Sequence, residues 1–212
     1  MQHQLVAQQL SFKRQQSLLF ERLSFSLSAG DLFLVEGSNG SGKSTLLKAL
    51  VNLAKFTFGE VLWRDCKIDL PVSDYISKLH YVGHADGIKL RLTVLENIRL
   101  LAQLTASSHD IKQRSLLDVA SVLTLLRLNQ HQSTQVHYLS QGEKRRLALA
   151  KLFLVSKPIW ILDEPLTALD SETQALFLTQ LASHLKNNGM AIISTHHFSP
   201  FECFAFQRIS LN

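Results

Sequence analysis

Gly37-Ser-Asn-Gly-Ser-Gly42-Lys43-Ser44 decides how the rest of this chain is read. The stretch fits the pattern GxxxxGK[ST], in which glycines let the backbone wrap closely and turn successive N–H groups toward phosphate oxygens. Lys43 is then expected to reach the β- and γ-phosphates of a nucleotide, and the Ser44 hydroxyl to coordinate Mg²⁺. The candidate nucleotide contacts are Gly37, Ser38, Asn39, Gly40, Ser41, Gly42, Lys43, Ser44 and Thr45. The flanks agree with this reading. Residues 32–35 form a continuous apolar run of the kind a buried strand carries, and residues 44–53 read as the helix that follows the loop.

Working downstream, Ile159-Trp-Ile-Leu162-Asp163-Glu164 supplies the second half of a site. A buried apolar strand delivers Asp163 at its C-terminal end, the edge at which open parallel sheets bind ligands. Asp163 is expected to hold Mg²⁺ through the ion's water shell, since Mg²⁺ keeps waters beside a few carboxylates. Glu164 can polarise an attacking water as general base. Alone, such an acidic pair reads more often as structural; downstream of a phosphate loop it reads as catalytic.

The remaining pattern sets the architecture around these residues. Leu23-Ser-Phe-Ser-Leu27 alternates with period two, Ala29-Gly30-Asp31 is a turn, and Gly59-Glu-Val-Leu-Trp63 reads as a further strand. Residues 94–104 and 111–128 carry apolar side chains at three- and four-residue intervals and read as helices, as does 172–185; residues 191–195 read as another buried strand. Strands alternating with helices around a glycine loop imply an α/β core with parallel strands, and the helical middle reads as an insertion in it.

Composition bounds the rest. The 212 residues suffice for one sizeable core and not two full domains. With 46% apolar and 18% charged residues the chain reads as globular. The net charge of +5 is spread along the chain and favours a solvated surface over nucleic-acid binding, though a mildly basic face suits an anionic membrane surface. Cys66 and Cys203 lie far apart without metal-ligand spacing, which suggests a reducing compartment. The first nine residues lack the pattern of a signal peptide, and the apolar stretches near 98–104 and 152–162 are too short or interrupted to span a membrane. If this chain drives transport, another polypeptide must supply the pore.

Leu139-Ser140-Gln141-Gly142-Glu143 is where a family resemblance emerges. The segment resembles the LSGGQ signature of the ATP-binding-cassette ATPases, with Gln141 for Gly and Glu143 for Gln. Ser140 and the Gly142 backbone can donate hydrogen bonds at a positive helix end. The resemblance implies that Ser140, Gln141 and Gly142 open a helix and contact the γ-phosphate held by a second copy. It also implies a D-loop at Leu169-Asp170, with Asp170 helping to join the copies, and a switch histidine at His196 that contacts the γ-phosphate; His197 beside it reads as a bystander. Counting back from Thr93 places His84 where the family carries its Q-loop glutamine, an acceptor for a Mg-bound water. By spacing, the residue stacking on adenine is Arg14 or Phe12. The catalytic set is thus Glu164, His196 and Lys43, and the metal set Ser44, Asp163 and His84. The fold implied is the P-loop NTPase fold of the ABC-ATPase type, a parallel-sheet core with an antiparallel β subdomain. One domain fills 1–212, with the ATP-binding core at 1–84 and 151–212 and the helical subdomain at 85–150.

Val82-Gly-His-Ala-Asp-Gly-Ile-Lys89, followed by Leu92-Thr-Val-Leu-Glu-Asn97, looks like the ATP-binding subunit of the bacterial cytochrome c maturation complex. That resemblance implies a peripheral subunit on the cytoplasmic side of the bacterial inner membrane, using ATP and Mg²⁺. It would work as a nucleotide-sandwich dimer on integral membrane subunits that export haem or release it from a periplasmic chaperone. No nucleic acid is expected as partner, and no direct haem site in this chain. Residues 86–92 would form one wall of the groove for the membrane partner, with Ile88 and Leu92 as apolar anchors and Lys89 or Arg91 at the rim. Alternatively Ile88 and Leu92 fill the protein's own core. The alternative functions are the ATPase of another small exporter, or a soluble cassette such as an iron–sulfur assembly factor.

Overall fold

The structure is a computed structural model and describes residues 4–14, 17–69, 74–105 and 118–211. In chain order the elements are β1 (Gln4–Arg14), β2 (Ser17–Ser28), β3 (Leu32–Gly37), α1 (Lys43–Leu50), β4 (Phe58–Trp63) and β5 (Cys66–Lys67). They continue with β6 (Leu79–Val82), α2 (Val94–Thr105), α3 (Val119–Leu125), α4 (Gln141–Leu149) and α5 (Lys151–Leu154). The last are β7 (Ile159–Asp163), α6 (Ser171–Lys186), β8 (Met190–Ser194) and β9 (Gln207–Leu211). Two compact units divide them: Met1–His84 with Pro158–Glu164 and Leu181–Asn212, and Ala85–Lys157 with Pro165–Gln180.

The first unit contains two sheets. One has the order β6-β7-β8-β3-β9 with every pairing parallel, as the alternation of strands and helices requires. Every residue of β7 and β8 is buried, which is why both read as unbroken apolar runs. The other sheet is antiparallel, β2-β1-β4-β5, with Leu5 opposite Leu27 on one side and Trp63 on the other. Leu5, Leu27 and Trp63 share one core with Leu46 and Leu50 of α1 and with Ile161 and Ile192 of the parallel sheet. α1 stops at Leu50 rather than at the expected Leu53. Asn52 there takes a left-handed φ of 60°, and the N–H groups of Asn52 and Leu53 return to Ala49 and Lys48, which closes the helix. The strands β6 and β9 escaped the sequence reading. β6 carries His80 and Tyr81, and β9 lies at the sheet edge with one fully buried residue, so neither shows an apolar run.

The second unit is helical. Thr93 and Glu96 cap α2 reciprocally, the Thr93 N–H donating to Glu96 at 2.8 Å and the Glu96 N–H to Thr93 Oγ1 at 3.2 Å. Of the helix expected over 111–128, residues 111–117 lie outside the described residues. α3 starts where the Asp118 carboxylate accepts from Ser121 N and ends where Arg127 turns left-handed at φ 55°. The sequence reading kept 151–157 and 165–180 with the core, whereas the contacts group them with the helices. α5 follows α4 across Ala150, and Gln180 Nε2 donates to the Leu152 carbonyl at 3.3 Å.

Candidate active site

The phosphate loop joins β3 to α1 in the first unit. Gly42 at the helix N-cap has φ 103°, a conformation that glycine adopts without penalty. α1 has no side-chain cap and no acidic residue in its first turn. Its leading N–H groups have no partner within the helix and its dipole is uncompensated, which is the arrangement an anion fills. Lys43 is only 5% exposed, and its ammonium donates to the carbonyls of Gly37 at 2.8 Å and Ser38 at 3.1 Å. Ser38, Asn39 and Gly40 are exposed along the loop, Ser41 is buried, and Ser44 and Thr45 are half-buried at the start of the helix.

β7 ends against this loop. Asp163 is fully buried and accepts a 2.5 Å hydrogen bond from Ser194 Oγ at the end of β8. The same Ser194 hydroxyl accepts from the Glu164 N–H at 2.9 Å, and the Ser194 carbonyl accepts from it at 3.2 Å. Glu164 is left-handed at φ 49°, an unfavourable backbone for a residue with a side chain, and these bonds hold it there. Its Oε1 lies 2.7 Å from His196 Nε2 and 3.8 Å from Lys43 Nζ. Lys43, Glu164 and His196, far apart in sequence, thus meet in one cluster. Tyr81, on the neighbouring strand, is pushed up to about 12 by burial and by the charge of Asp163. His84 is exposed two residues beyond β6, on the same edge of the sheet as Asp163. Phe12 is half-buried, its ring 6.1 Å from Phe20, whose own ring abuts Gly42. The side chain of Arg14, last residue of β1, lies outside the described residues. His197 is exposed and exchanges hydrogen bonds with Thr195.

In the second unit Ser140 is the N-cap of α4 and forms a capping box with Glu143. The Ser140 N–H and hydroxyl donate to Glu143 Oε2 at 2.8 and 2.7 Å, and Glu143 Oε1 faces His131 Nε2 at 3.0 Å. These hydrogen bonds, foremost the Ser140 hydroxyl, hold the Glu143 carboxyl below its usual range. Gln141 is exposed. A side chain on Gly142 would come within 2.9 Å of the Ala168 carbonyl, so glycine is required by close approach. Arg146 pairs with Asp170 at 3.3 Å, and Asp170 caps α6 through Thr173 N at 2.7 Å, so α4 and the start of α6 are held together.

Residues 86–92 differ from expectation. Ile88 and Leu92 are half-buried, and it is Leu90 that stands out, at 51% exposed. Asn97, itself buried, ties this stretch to α2. It accepts from Lys89 N at 2.7 Å and donates to the carbonyls of Lys89 and Thr93. The sequence reading missed Ser194, Asn97 and His131 as contributors. A lone serine ending an apolar strand, and the Asn closing Leu92-Thr-Val-Leu-Glu-Asn97, were the available signals; His131 carried none.

The family profile of ABC transporters matches residues 20–167. The cytochrome c biogenesis ATP-binding export protein CcmA of Vibrio cholerae is 39% identical over 192 residues, spanning 91% of this chain and 90% of its own. The protein of that name from Cupriavidus pinatubonensis is 41% identical over 196 residues, spanning 92% of this chain and 84% of its own. Among solved structures, an ATP-binding subunit of an ABC transporter superposes with a TM-score of 0.84 at 23% identity, over 98% of this chain and 85% of that one. A dimeric ATP-binding cassette in a post-hydrolysis state with ADP and phosphate gives 0.80 at 22% identity, over 98% and 94%. The fold is that of these ATPase domains. The chain belongs to the ABC transporter family, as an ATP-hydrolysing cassette of the group that contains the cytochrome c biogenesis ATP-binding export proteins.

Proposed function

We propose that this chain is the ATP-hydrolysing subunit of a membrane complex that handles haem during maturation of c-type cytochromes. The observation that carries its chemistry is the meeting of Lys43, Glu164 and His196 beside an uncapped helix N-terminus. Glu164 takes a proton from the attacking water, which adds to the γ-phosphorus of ATP as the bond to ADP breaks. His196 orients the Glu164 carboxylate and reaches the γ-phosphate. Lys43 exchanges the Gly37 and Ser38 carbonyls for phosphate oxygens. Ser44 and Asp163 offer hard oxygen donors that would hold Mg²⁺, and His84 would serve as a further acceptor beside it. When bound, Mg²⁺ draws charge from the phosphate oxygens. Adenine falls to the β1–β2 hairpin, at Arg14 or Phe12.

Two copies act together in this reading, with Ser140, Gln141 and Gly142 of each completing the phosphate loop of the other and Asp170 joining them. The names of the relatives support haem and cytochrome c as context. No described helix is long and apolar enough to cross a membrane, and exposed Leu90 offers an apolar contact for integral partner subunits at the cytoplasmic face of the inner membrane. Mixing Lys43→Ala protein with Ser140→Arg protein tests the composite site, since one site then gathers both intact halves. ATPase activity should return on mixing, and a monomer fully active at high dilution would remove the paired arrangement. Proteins that co-purify from membranes should be cytochrome c maturation subunits, and Leu90→Asp should release them; recovery of soluble iron–sulfur assembly proteins instead would favour the alternative.

A further inference from the structure

The signature helix begins with a charge that its expected task does not call for. Glu143 is the third residue of α4, where a carboxylate is favoured by the helix dipole and by the two donors of Ser140. Yet the Ser140 hydroxyl has one proton, which cannot serve Glu143 and a nucleotide phosphate together. A full negative charge beside that phosphate also opposes its approach. Two basic side chains face Glu143: Arg146 from the next turn of α4, whose guanidinium lies on Asp170, and His131, whose Nε2 meets Oε1 at 3.0 Å. His131 belongs to a short helical turn at Asn129–His131, whose backbone is fixed by the His131 N–H on the Leu128 carbonyl and by Thr134 N on its own carbonyl.

We propose that His131 is a positioning residue for ATP hydrolysis, engaging the Glu143 carboxylate at Oε1 so that Ser140 and the start of α4 can take up a nucleotide phosphate. By occupying Oε1 it draws charge away from Oε2, so the Ser140 hydroxyl can turn its hydrogen bond from Glu143 to the incoming oxygen. This rests on the reading that the signature loop meets the nucleotide of a second copy. Glutamine at position 143 would keep the capping box while removing the charge, so the need for His131 should vanish with it.

The test is a double-mutant cycle read as the ATP concentration giving half-maximal hydrolysis by the full chain. His131→Ala should raise it about five- to tenfold, the scale of one partly screened like-charge contact. In the Glu143→Gln background the same substitution should change it less than about twofold, and His131→Lys alone should return it to within about twofold of wild type. Equal changes in both backgrounds, or no change in the first, overturn the proposal. A general loss of folding adds across the cycle rather than coupling, so it too counts against it. If mixing the Lys43→Ala and Ser140→Arg proteins restores activity while the cycle shows no coupling, this inference falls and the paired reading stands. If mixing restores nothing, the paired reading itself falls.

Discussion

Glu164 and Glu143 each meet a histidine and a serine, the first at the end of a buried strand and the second at the start of a helix in the other unit. The distances are alike: Glu164 lies 2.7 Å from His196, and Glu143 lies 3.0 Å from His131. The serines differ in what they grip. Ser194 holds the main-chain N–H of Glu164, whereas Ser140 holds the carboxylate of Glu143. At the strand end the backbone is forced to φ 49°, at a cost of about 1–2 kcal/mol for a residue with a side chain. At the helix start the carboxylate completes a cap that stabilises the helix. The same functional groups therefore make a strained strand end in one place and a stabilising helix terminus in the other.

The largest separation between the two should come from Glu164→Gln. The amide keeps shape but cannot accept the proton of water, so hydrolysis should fall about 10²–10⁴-fold while ATP binding persists. Turnover and nucleotide binding on one preparation decide this, and wild-type turnover would remove Glu164 from the mechanism.

A third histidine sharpens the contrast. His184 stacks on Trp160 at 3.9 Å in the first unit, and burial lowers its pKa to about 4. The unfolded chain takes that proton near 6.5. The stabilisation from keeping His184 neutral is therefore complete above pH 6.5 and declines as pH falls toward 4, by about 3 kcal/mol in all. Urea unfolding at several pH values should show this limb shrinking in His184→Gln, and unaltered slopes would discard the assignment.

Ser194→Ala should come next, since one buried hydroxyl serves both Asp163 and the Glu164 backbone. We expect hydrolysis to drop about 10–100-fold, as for loss of a group that orients metal-associated ligands, together with a higher Mg²⁺ requirement. An unchanged Mg²⁺ titration would limit Ser194 to packing. Glu143→Ala should show the smallest effect, a loss of about 0.5–1 kcal/mol in unfolding free energy through the opened capping box. No loss would mean that Ser140 caps α4 unaided.

The glycine loop and the buried strands beside it were legible in the chain because their chemistry is local. Gly42 must be glycine to start α1 from a left-handed turn, and Lys43 and Ser44 follow it in covalent sequence. β7 and β8 had to be continuous apolar runs because both faces of a central parallel strand are covered. Thr93 and Glu96 close a cap across a three-residue spacing, a local signal that the sequence reading left unused.

What the chain could not reveal depends on groups brought together across the fold. Leu90 rather than Ile88 and Leu92 stands exposed, in a stretch that Asn97 ties back at Lys89 through hydrogen bonds that periodicity does not encode. Ser194 reads as the tail of an apolar strand until parallel pairing of β7 and β8 sets it opposite Asp163. His131 and Glu143 are neighbours only after the turn at 129–131 folds back on α4. Sequence by itself determined the phosphate loop, the strand-end carboxylates and the layered class, since each follows from covalent order and the period of burial. Tertiary structure alone decided which serine, asparagine and histidine tune them, because hydrogen-bond partners are chosen by distance in space and not by separation along the chain.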